Sequence, residues 1–163
     1  MSLILKNGTI LTNEELFAIP VYRGGWRILP DGNWARIGDW ARIGDWARIG
    51  DGARIGNEAS IGNGARIGNG ASIGNEASIG NVARIGDVAH FRKSPLAVQG
   101  TRDLVTQHSA GKIAVGCEVH TNEEWLANFG QIGKKNGYTE AEIEEYGKIL
   151  RFVVENGVEV GVV

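Results

Sequence analysis

Residues 33–56 read NWARIGDWARIGDWARIGDGARIG, in which a six-residue unit occurs three times and then a fourth time with Gly in place of Trp. Isoleucine continues at every sixth position to Ile85, glycine follows each of these isoleucines, and Asp or Asn follows each glycine. Alanine stands two residues before each isoleucine. Because successive side chains of a strand point to opposite faces, Ala and Ile share one face and Arg or Ser occupies the other. Each unit therefore predicts a short strand followed by a bend.

One such unit is too short to bury its own isoleucine, so the units must coil and stack on one another. The bends are predicted at the Asp or Asn positions, because these residues tolerate the left-handed backbone region better than most. The glycine after each isoleucine is expected to keep the outer face flat. Phe91 takes the next isoleucine position, and Lys93 and Pro95 end the pattern.

The nine Ile-Gly-[Asp/Asn]-x-Ala-[Arg/Ser] units from Ile37 to His90 resemble the hexapeptide-repeat family of left-handed parallel β-helices. The resemblance covers about a third of the chain. It implies a three-sided prism with three units, or 18 residues, in each coil, and a left-handed crossover that departs from the usual rule. It also implies assembly as a trimer.

Stacking at 18 residues places the three repeat tryptophans, Trp34, Trp40 and Trp46, at the three corners of the first coil. Two interpretations follow from this position. An N-terminal cap covers all three side chains, or they form an exposed aromatic collar that docks a partner or another copy.

The same stacking aligns Arg48, Arg66 and Arg84 in one column, with coils about 4.8 Å apart. Like charges at this spacing repel unless acids or anions meet them. Corner acids such as Asp51 and Asp87 are one possible source of balance. The other interpretation is a binding surface for an anionic small molecule or for an acidic protein surface.

The flanks of the repeat predict two further units. Residues 1–32 are expected to form an N-terminal cap, residues 33–95 the β-helix, and residues 96–163 a C-terminal unit with two strands and two helices. Three capping boxes begin at Thr12, Thr121 and Thr139 and predict the starts of helices. The predicted fold is mainly β: a short left-handed parallel β-helix of about three coils, with a cap, a C-terminal β-hairpin and a helical hairpin.

The order of these units resembles small uncharacterised proteins often met in bacteria, phages and prophages. The residues that carry this looser resemblance are Gly116-Cys117, His120-Thr121, Trp125 and Gly137-Tyr138. It implies a phage-related protein and no particular activity.

Composition narrows the classes of partner. The formal net charge is −2, so no global field favours nucleic acid or a membrane surface. The single cysteine, Cys117, forms no internal disulfide, and no segment has the length of a signal peptide core or a membrane span. We expect a soluble protein of the cytoplasm, or of a host cytoplasm if phage-encoded, with no cofactor.

His90 is the one candidate catalytic residue, because acyltransferases of the hexapeptide-repeat family imply a histidine near a cleft between subunits. It ends the last regular coil on an outward position shared with Arg and Ser. A general base also needs an orienting partner, and Asp87 is already explained by its bend. A solvated or capping histidine is the plainer interpretation.

The carbonic-anhydrase branch of the same family implies three zinc-binding histidines. His90, His108 and His120 are three, but none lies within the repeat proper and no two are close in sequence, so no metal site is predicted. Cys117 and His120, three residues apart on one strand, would point to opposite faces. The cysteine is therefore interpreted as a buried structural residue.

The favoured function is a non-enzymatic solenoid that self-assembles as a trimer and acts as a scaffold or interaction module. The alternatives are a small acyltransferase that uses His90, and a binder of anionic small molecules in clefts between subunits.

Overall fold

The computed structural model describes residues 2–5 and 7–162; Met1, Lys6 and Val163, which belong to the predicted cap and C-terminal unit, lie outside the described residues. The N-terminal elements are β1 (Ser2–Ile4), β2 (Ile10–Thr12), α1 (Asn13–Ala18) and β3 (Trp26–Ile28). The repeat contains β4 (Trp34–Ile37), β5 (Arg42–Ile43), β6 (Arg48–Ile49), β7 (Ala53–Ile55), β8 (Ser60–Ile61), β9 (Arg66–Ile67), β10 (Ser72–Ile73), β11 (Ser78–Ile79), β12 (Arg84–Ile85) and β13 (Ala89–Phe91). The C-terminal elements are β14 (Ala97–Gln99), β15 (Leu104–Ser109), β16 (Lys112–Val115), β17 (Glu118–Thr121), α2 (Asn122–Lys135), α3 (Glu140–Asn156) and β18 (Gly161–Val162).

The repeat forms a three-turn parallel β-solenoid with three faces. Face one contains β4, β7, β10 and β13, face two contains β5, β8 and β11, and face three contains β6, β9 and β12. All pairings between these strands are parallel, and the partners are 18 residues apart, as in Arg48 with Arg66 and Arg66 with Arg84. The predicted fold class and the predicted coil length are therefore confirmed.

The alanines and isoleucines fill the interior of the solenoid. Each of the nine repeat isoleucines is at most 5% exposed, and the alanines that precede them are equally buried. Phe91 continues the column of Ile73 and is fully buried. The apolar interior of this small solenoid is thus a stack of near-identical layers.

The corners differ from the prediction in one respect. The left-handed residue is the one after Asp or Asn, not Asp or Asn itself. Positive φ occurs at Trp40, Trp46, Gly52, Glu58, Gly64, Gly70, Glu76, Val82 and Val88. Such a conformation is easy for glycine and costs other residues roughly 1–2 kcal/mol, so the corners are strained wherever the residue is not glycine.

The Asp and Asn side chains instead connect successive coils. The Asn57 Oδ1 atom accepts the backbone N–H of Asp39, and the Asn75 Oδ1 atom accepts that of Asn57 at 3.0 Å. These bonds run from backbone to side chain, so they replace the amide-to-amide ladder that stacked asparagines suggest. They also explain the glycines: a Cβ atom on Gly56 would lie 2.5 Å from the Asn75 nitrogen.

The N-terminal segment caps the first coil, as predicted. β1 and β2 pair as an antiparallel hairpin, and the Ile4 N–H donates to the Ala47 carbonyl of face three. β3 pairs antiparallel with β4 and thereby covers the lower edge of face one. Arg27 is buried, donates to the Ile37 carbonyl at 3.1 Å and lies over the Phe17 ring.

The C-terminal unit is larger than the predicted hairpin. Its sheet has four antiparallel strands in the order β14-β15-β16-β17, and α2 and α3 pack on one side of it. All three capping boxes are present, at Thr12, Thr121 and Thr139. The final strand β18 pairs antiparallel with β13 and continues face one.

One hydrogen bond places the C-terminal sheet over face three. The Gly86 N–H, at the end of the last strand of that face, donates to the His108 carbonyl at 2.8 Å. The His108 ring lies so close to Gly86 that a Cβ there would approach it to 2.4 Å. The sheet therefore begins where the arginine column of face three ends.

Candidate functional site

The arginine column of face three exists as predicted. Arg48 and Arg66 are exposed, Arg84 is half-buried, and all three lie in register on neighbouring strands. Within residues 2–5 and 7–162 no ion pair joins any of them to an acid. Their positive charge is thus not neutralised by a direct contact in the described chain.

The corner acids that were expected to balance these arginines have another role. The Asp51 Oδ1 atom accepts the Trp34 N–H at 2.7 Å, and the Asp87 Oδ1 atom accepts the Asn69 N–H at 2.7 Å. Both carboxylates therefore form hydrogen bonds between successive coils rather than ion pairs with the arginines. We interpret the column of Arg48, Arg66 and Arg84 as a basic surface.

The upper end of this column opens into a cleft of about 400 Å³. Strand β15 forms one wall because its alternation points Leu104, Thr106 and His108 toward the solenoid, while Val105 packs in the C-terminal core. The cleft is lined by Val82, Arg84, Gln99, Arg102, Asp103, Leu104, Thr106, Ala114, Gly116 and Cys117. It combines two cationic side chains and one carboxylate with apolar and neutral polar side chains.

Thr106 is the residue in this cleft that local folding does not explain. It is 1% exposed, and its hydroxyl has no hydrogen-bond partner among the described residues. A buried hydroxyl without a partner costs about 1–3 kcal/mol in protein mutational data. Such an unsatisfied group on the wall of a cleft indicates a position where a ligand group could be bound.

A network of tyrosines fixes the acidic side of the cleft. The Tyr138 hydroxyl donates to the Asp103 carboxylate, and the Tyr146 hydroxyl donates to the Asp103 carbonyl at 2.8 Å. Burial, followed by the bond to Asp103, raises the pKa of Tyr138. Arg102 lies 4.7 Å from the centre of the Tyr138 ring and holds the same loop in place.

A second, apolar cavity of about 200 Å³ lies on the helical side of Asp103. Its lining includes Trp125, Phe129 and Tyr146 from the C-terminal core, together with Cys117. Arg102, Asp103 and Cys117 line both spaces. These three residues therefore lie between the core of the helical hairpin and the basic cleft.

The tryptophan collar, defined as Trp34, Trp40 and Trp46, is exposed rather than covered. Their exposed fractions are 44%, 82% and 60%. The interpretation that the N-terminal cap buries all three side chains is therefore wrong. Among the described residues, Trp34 alone of the three makes an aromatic contact, with the exposed Tyr22 ring at 6.0 Å.

His90 lies at the end of face one beside the C-terminal strand. It pairs in register with Gly161 of β18 and with Ser72 of β10. No carboxylate is hydrogen-bonded to its ring in the part of the chain that the structure describes. His90 therefore has no orienting carboxylate in the described chain, and its catalytic role stays a prediction.

Cys117 is exposed, in contrast to the buried position expected from the sequence. Strand β16 ends at Val115, and Gly116 turns the chain with a φ of +55°, so the cysteine lies in a turn rather than in a strand. His120 packs edge-on against the Trp125 ring and contacts Glu118 at 3.2 Å. No group of three potential metal ligands is found in residues 2–5 and 7–162.

The fold and these surfaces define a β-solenoid protein with an added antiparallel sheet and helical hairpin. No family model, curated protein or solved structure matches the chain. None of its described helices is long and apolar enough to cross a membrane.

The sequence alone identified the arginine column and the collar, but not the cleft. Thr106, Arg102 and Asp103 were not among the candidate residues. The only signal in the sequence was the polar Thr106 that follows Leu104 and Val105 in a predicted strand, and this signal is also typical of a strand with one solvent-facing side.

Proposed function

We propose that this chain is a non-enzymatic interaction module of the left-handed hexapeptide-repeat type, which assembles as a cytoplasmic trimer through its tryptophan collar. The observation that carries the proposal is Trp40, which is 82% exposed and has a φ of +60°. This side chain gains little from burial within its own chain.

The energetics of the collar favour a role in binding. A non-glycine residue in the left-handed region costs roughly 1–2 kcal/mol, and the same corner columns use Glu58 and Gly64 one coil higher. Tryptophan is thus unnecessary for the corner and unfavourable for its backbone. Exposed aromatic residues of this kind are common anchors of protein interfaces.

The trimer is the assembly that the hexapeptide resemblance implies, and the shape of the solenoid suits it. Face two carries Arg42, Ser60 and Ser78 on its outer surface, so above its first coil it presents only short side chains. A flat surface of short side chains allows two prisms to pack closely. The collar residues at the corners of face two, Trp40 and Trp46, then extend that contact at the level of the first coil.

The test replaces the collar with residues that the solenoid itself uses in the same columns. The variant Trp34→Gly, Trp40→Glu, Trp46→Gly copies Gly52, Glu58 and Gly64 from the second coil. Light scattering at micromolar concentration is expected to show a trimer for the unmodified chain and a monomer for this variant. Its far-ultraviolet circular dichroism should be unchanged.

A matched control removes exposed apolar corners from the last coil. The variant Val82→Gly, Val88→Gly copies Gly64 and Gly70 from the same two columns, and it should remain trimeric. A monomeric unmodified chain contradicts the assembly. A trimer that persists in the collar variant contradicts the collar as its interface.

A further inference from the structure

We infer that the cleft between face three and strand β15 binds a small organic carboxylate, held by Arg84 and the buried hydroxyl of Thr106. This site lies within one chain, so it does not depend on the proposed assembly. It also differs from the anion-binding clefts between subunits that the sequence suggested.

The charges of the cleft favour a monoanion. Its lining contains two arginines, Arg84 and Arg102, and one aspartate, Asp103. The Asp103 carboxylate accepts the Tyr138 hydroxyl and lies 3.9 Å from the Arg102 Nε atom. Arg84 has no acidic contact in the described chain and is therefore the cation available to a ligand.

Hydrogen-bonding capacity points to the same chemistry. A threonine hydroxyl supplies one donor and accepts in return, and that of Thr106 is buried without a partner. Its oxygen has no contact with solvent in the ligand-free chain, so a ligand reaches it only when a neighbouring side chain moves aside. An arginine fork matches the two oxygens of a carboxylate, and such charge-assisted bonds are stronger than neutral ones. A carboxylate that accepts from both residues would satisfy the hydroxyl and neutralise the arginine.

The remaining lining indicates what the carboxylate is attached to. Val82, Leu104 and Ala114 supply an apolar surface, and Gln99 supplies a neutral amide at the edge. A volume of about 400 Å³ falls in the range of small-molecule sites. A carboxylate with a short aliphatic or aromatic body fits both the size and the polarity.

The test is titration of the isotope-labelled full chain with benzoate and hexanoate, followed by two-dimensional amide NMR. Both probes should shift the resonances of Leu104, Thr106 and Ala114, whereas neutral benzamide should not. Inorganic phosphate separates carboxylate recognition from general anion binding. Tighter binding of phosphate, or no shift of these resonances with either carboxylate, would overturn the inference.

Matched variants test the assigned residues. Arg84→Ser copies the serines at equivalent outward positions of the repeat and should weaken benzoate binding at least tenfold. Arg48→Ser makes the same change two coils away and should leave the affinity unaltered. Thr106→Val keeps the shape of the wall and should also weaken binding. Equal affinities for the Arg84 and Arg48 variants would contradict the site, and the unchanged spectrum elsewhere would show that both fold.

Discussion

Replacing Thr106 with valine should stabilise the ligand-free protein. The side chain is 1% exposed and its hydroxyl has no partner among the described residues. Valine is β-branched and similar in shape, so the substitution removes a desolvated hydroxyl without opening a cavity. We expect the free energy of unfolding to rise by about 1–2 kcal/mol, within the range for burying an unpaired polar group.

Urea denaturation, followed by tryptophan fluorescence, measures this change. The slope with denaturant should stay constant while the midpoint rises. At a benzoate concentration of about 100 times its dissociation constant, the unmodified chain should gain roughly 2.7 kcal/mol and the variant much less. The stability advantage of the variant should then shrink.

A control with the opposite sign is available in the adjoining loop. The Thr101 hydroxyl donates to the Glu145 carboxylate at 2.6 Å, so Thr101→Val should lower the free energy of unfolding. A loss of 1 kcal/mol or more in Thr106→Val would refute the reasoning, because it would show that the Thr106 hydroxyl makes a favourable hydrogen bond in the folded protein.

Three further predictions concern the framework. Gly56→Ala should lower the free energy of unfolding by about 1–3 kcal/mol in urea denaturation, since its Cβ would lie 2.5 Å from the nitrogen of Asn75; Gly52→Ala, where the nearest atom is 3.8 Å away, should lose only the roughly 1 kcal/mol of a left-handed alanine. Burial, and after it the positive charge of Lys112, lowers the pKa of His108 in the folded protein. The free energy of unfolding should therefore be highest above the unfolded-state pKa near 6.5 and fall as the pH drops through the lower folded-state pKa. Urea midpoints measured from pH 7.5 to 5 should show this fall, and His108→Gln should make it smaller. Thr121→Ala removes the capping box of α2 and should lower the free energy of unfolding by about 1 kcal/mol.

The repeat could be predicted almost completely because one constraint fixes every unit. The six-residue period predicts short strands with buried Ile and Ala, and the hexapeptide-repeat resemblance implies the 18-residue coil that pairs Arg48, Arg66 and Arg84. The capping boxes were equally predictable, because a Thr and a Glu three residues apart each accept a hydrogen bond from the other's backbone N–H. Local chemistry with short sequence separation is what a sequence reveals most clearly.

The corners show where such reasoning stops. Asp and Asn favour the left-handed region, but here their Oδ1 atoms accept N–H groups from the preceding coil and the next residue takes the strain. A contact between residues 18 apart has outweighed a local preference. The exposure of Trp40 likewise depends on the surroundings of its corner in the folded chain, which the presence of a cap does not by itself decide.

The cleft could not be predicted because its walls come from distant parts of the chain. Arg84 belongs to the solenoid, Thr106 to the C-terminal sheet, and Asp103 is fixed by tyrosines some 35 and 43 residues later. None of these residues is unusual in its own segment. Only the docking of β15 above face three, through the bond from Gly86 to His108, brings them together.

The proposed assembly surface and the proposed ligand site lie at opposite ends of the solenoid. The collar belongs to the first coil and Arg84 to the last, two coils or about 10 Å higher along the axis. They share no residue, and the layers between them are rigid stacks of buried isoleucine. A ligand at Arg84 therefore has no evident route by which to alter the collar, and coupling between binding and assembly would require a contact in the assembled protein.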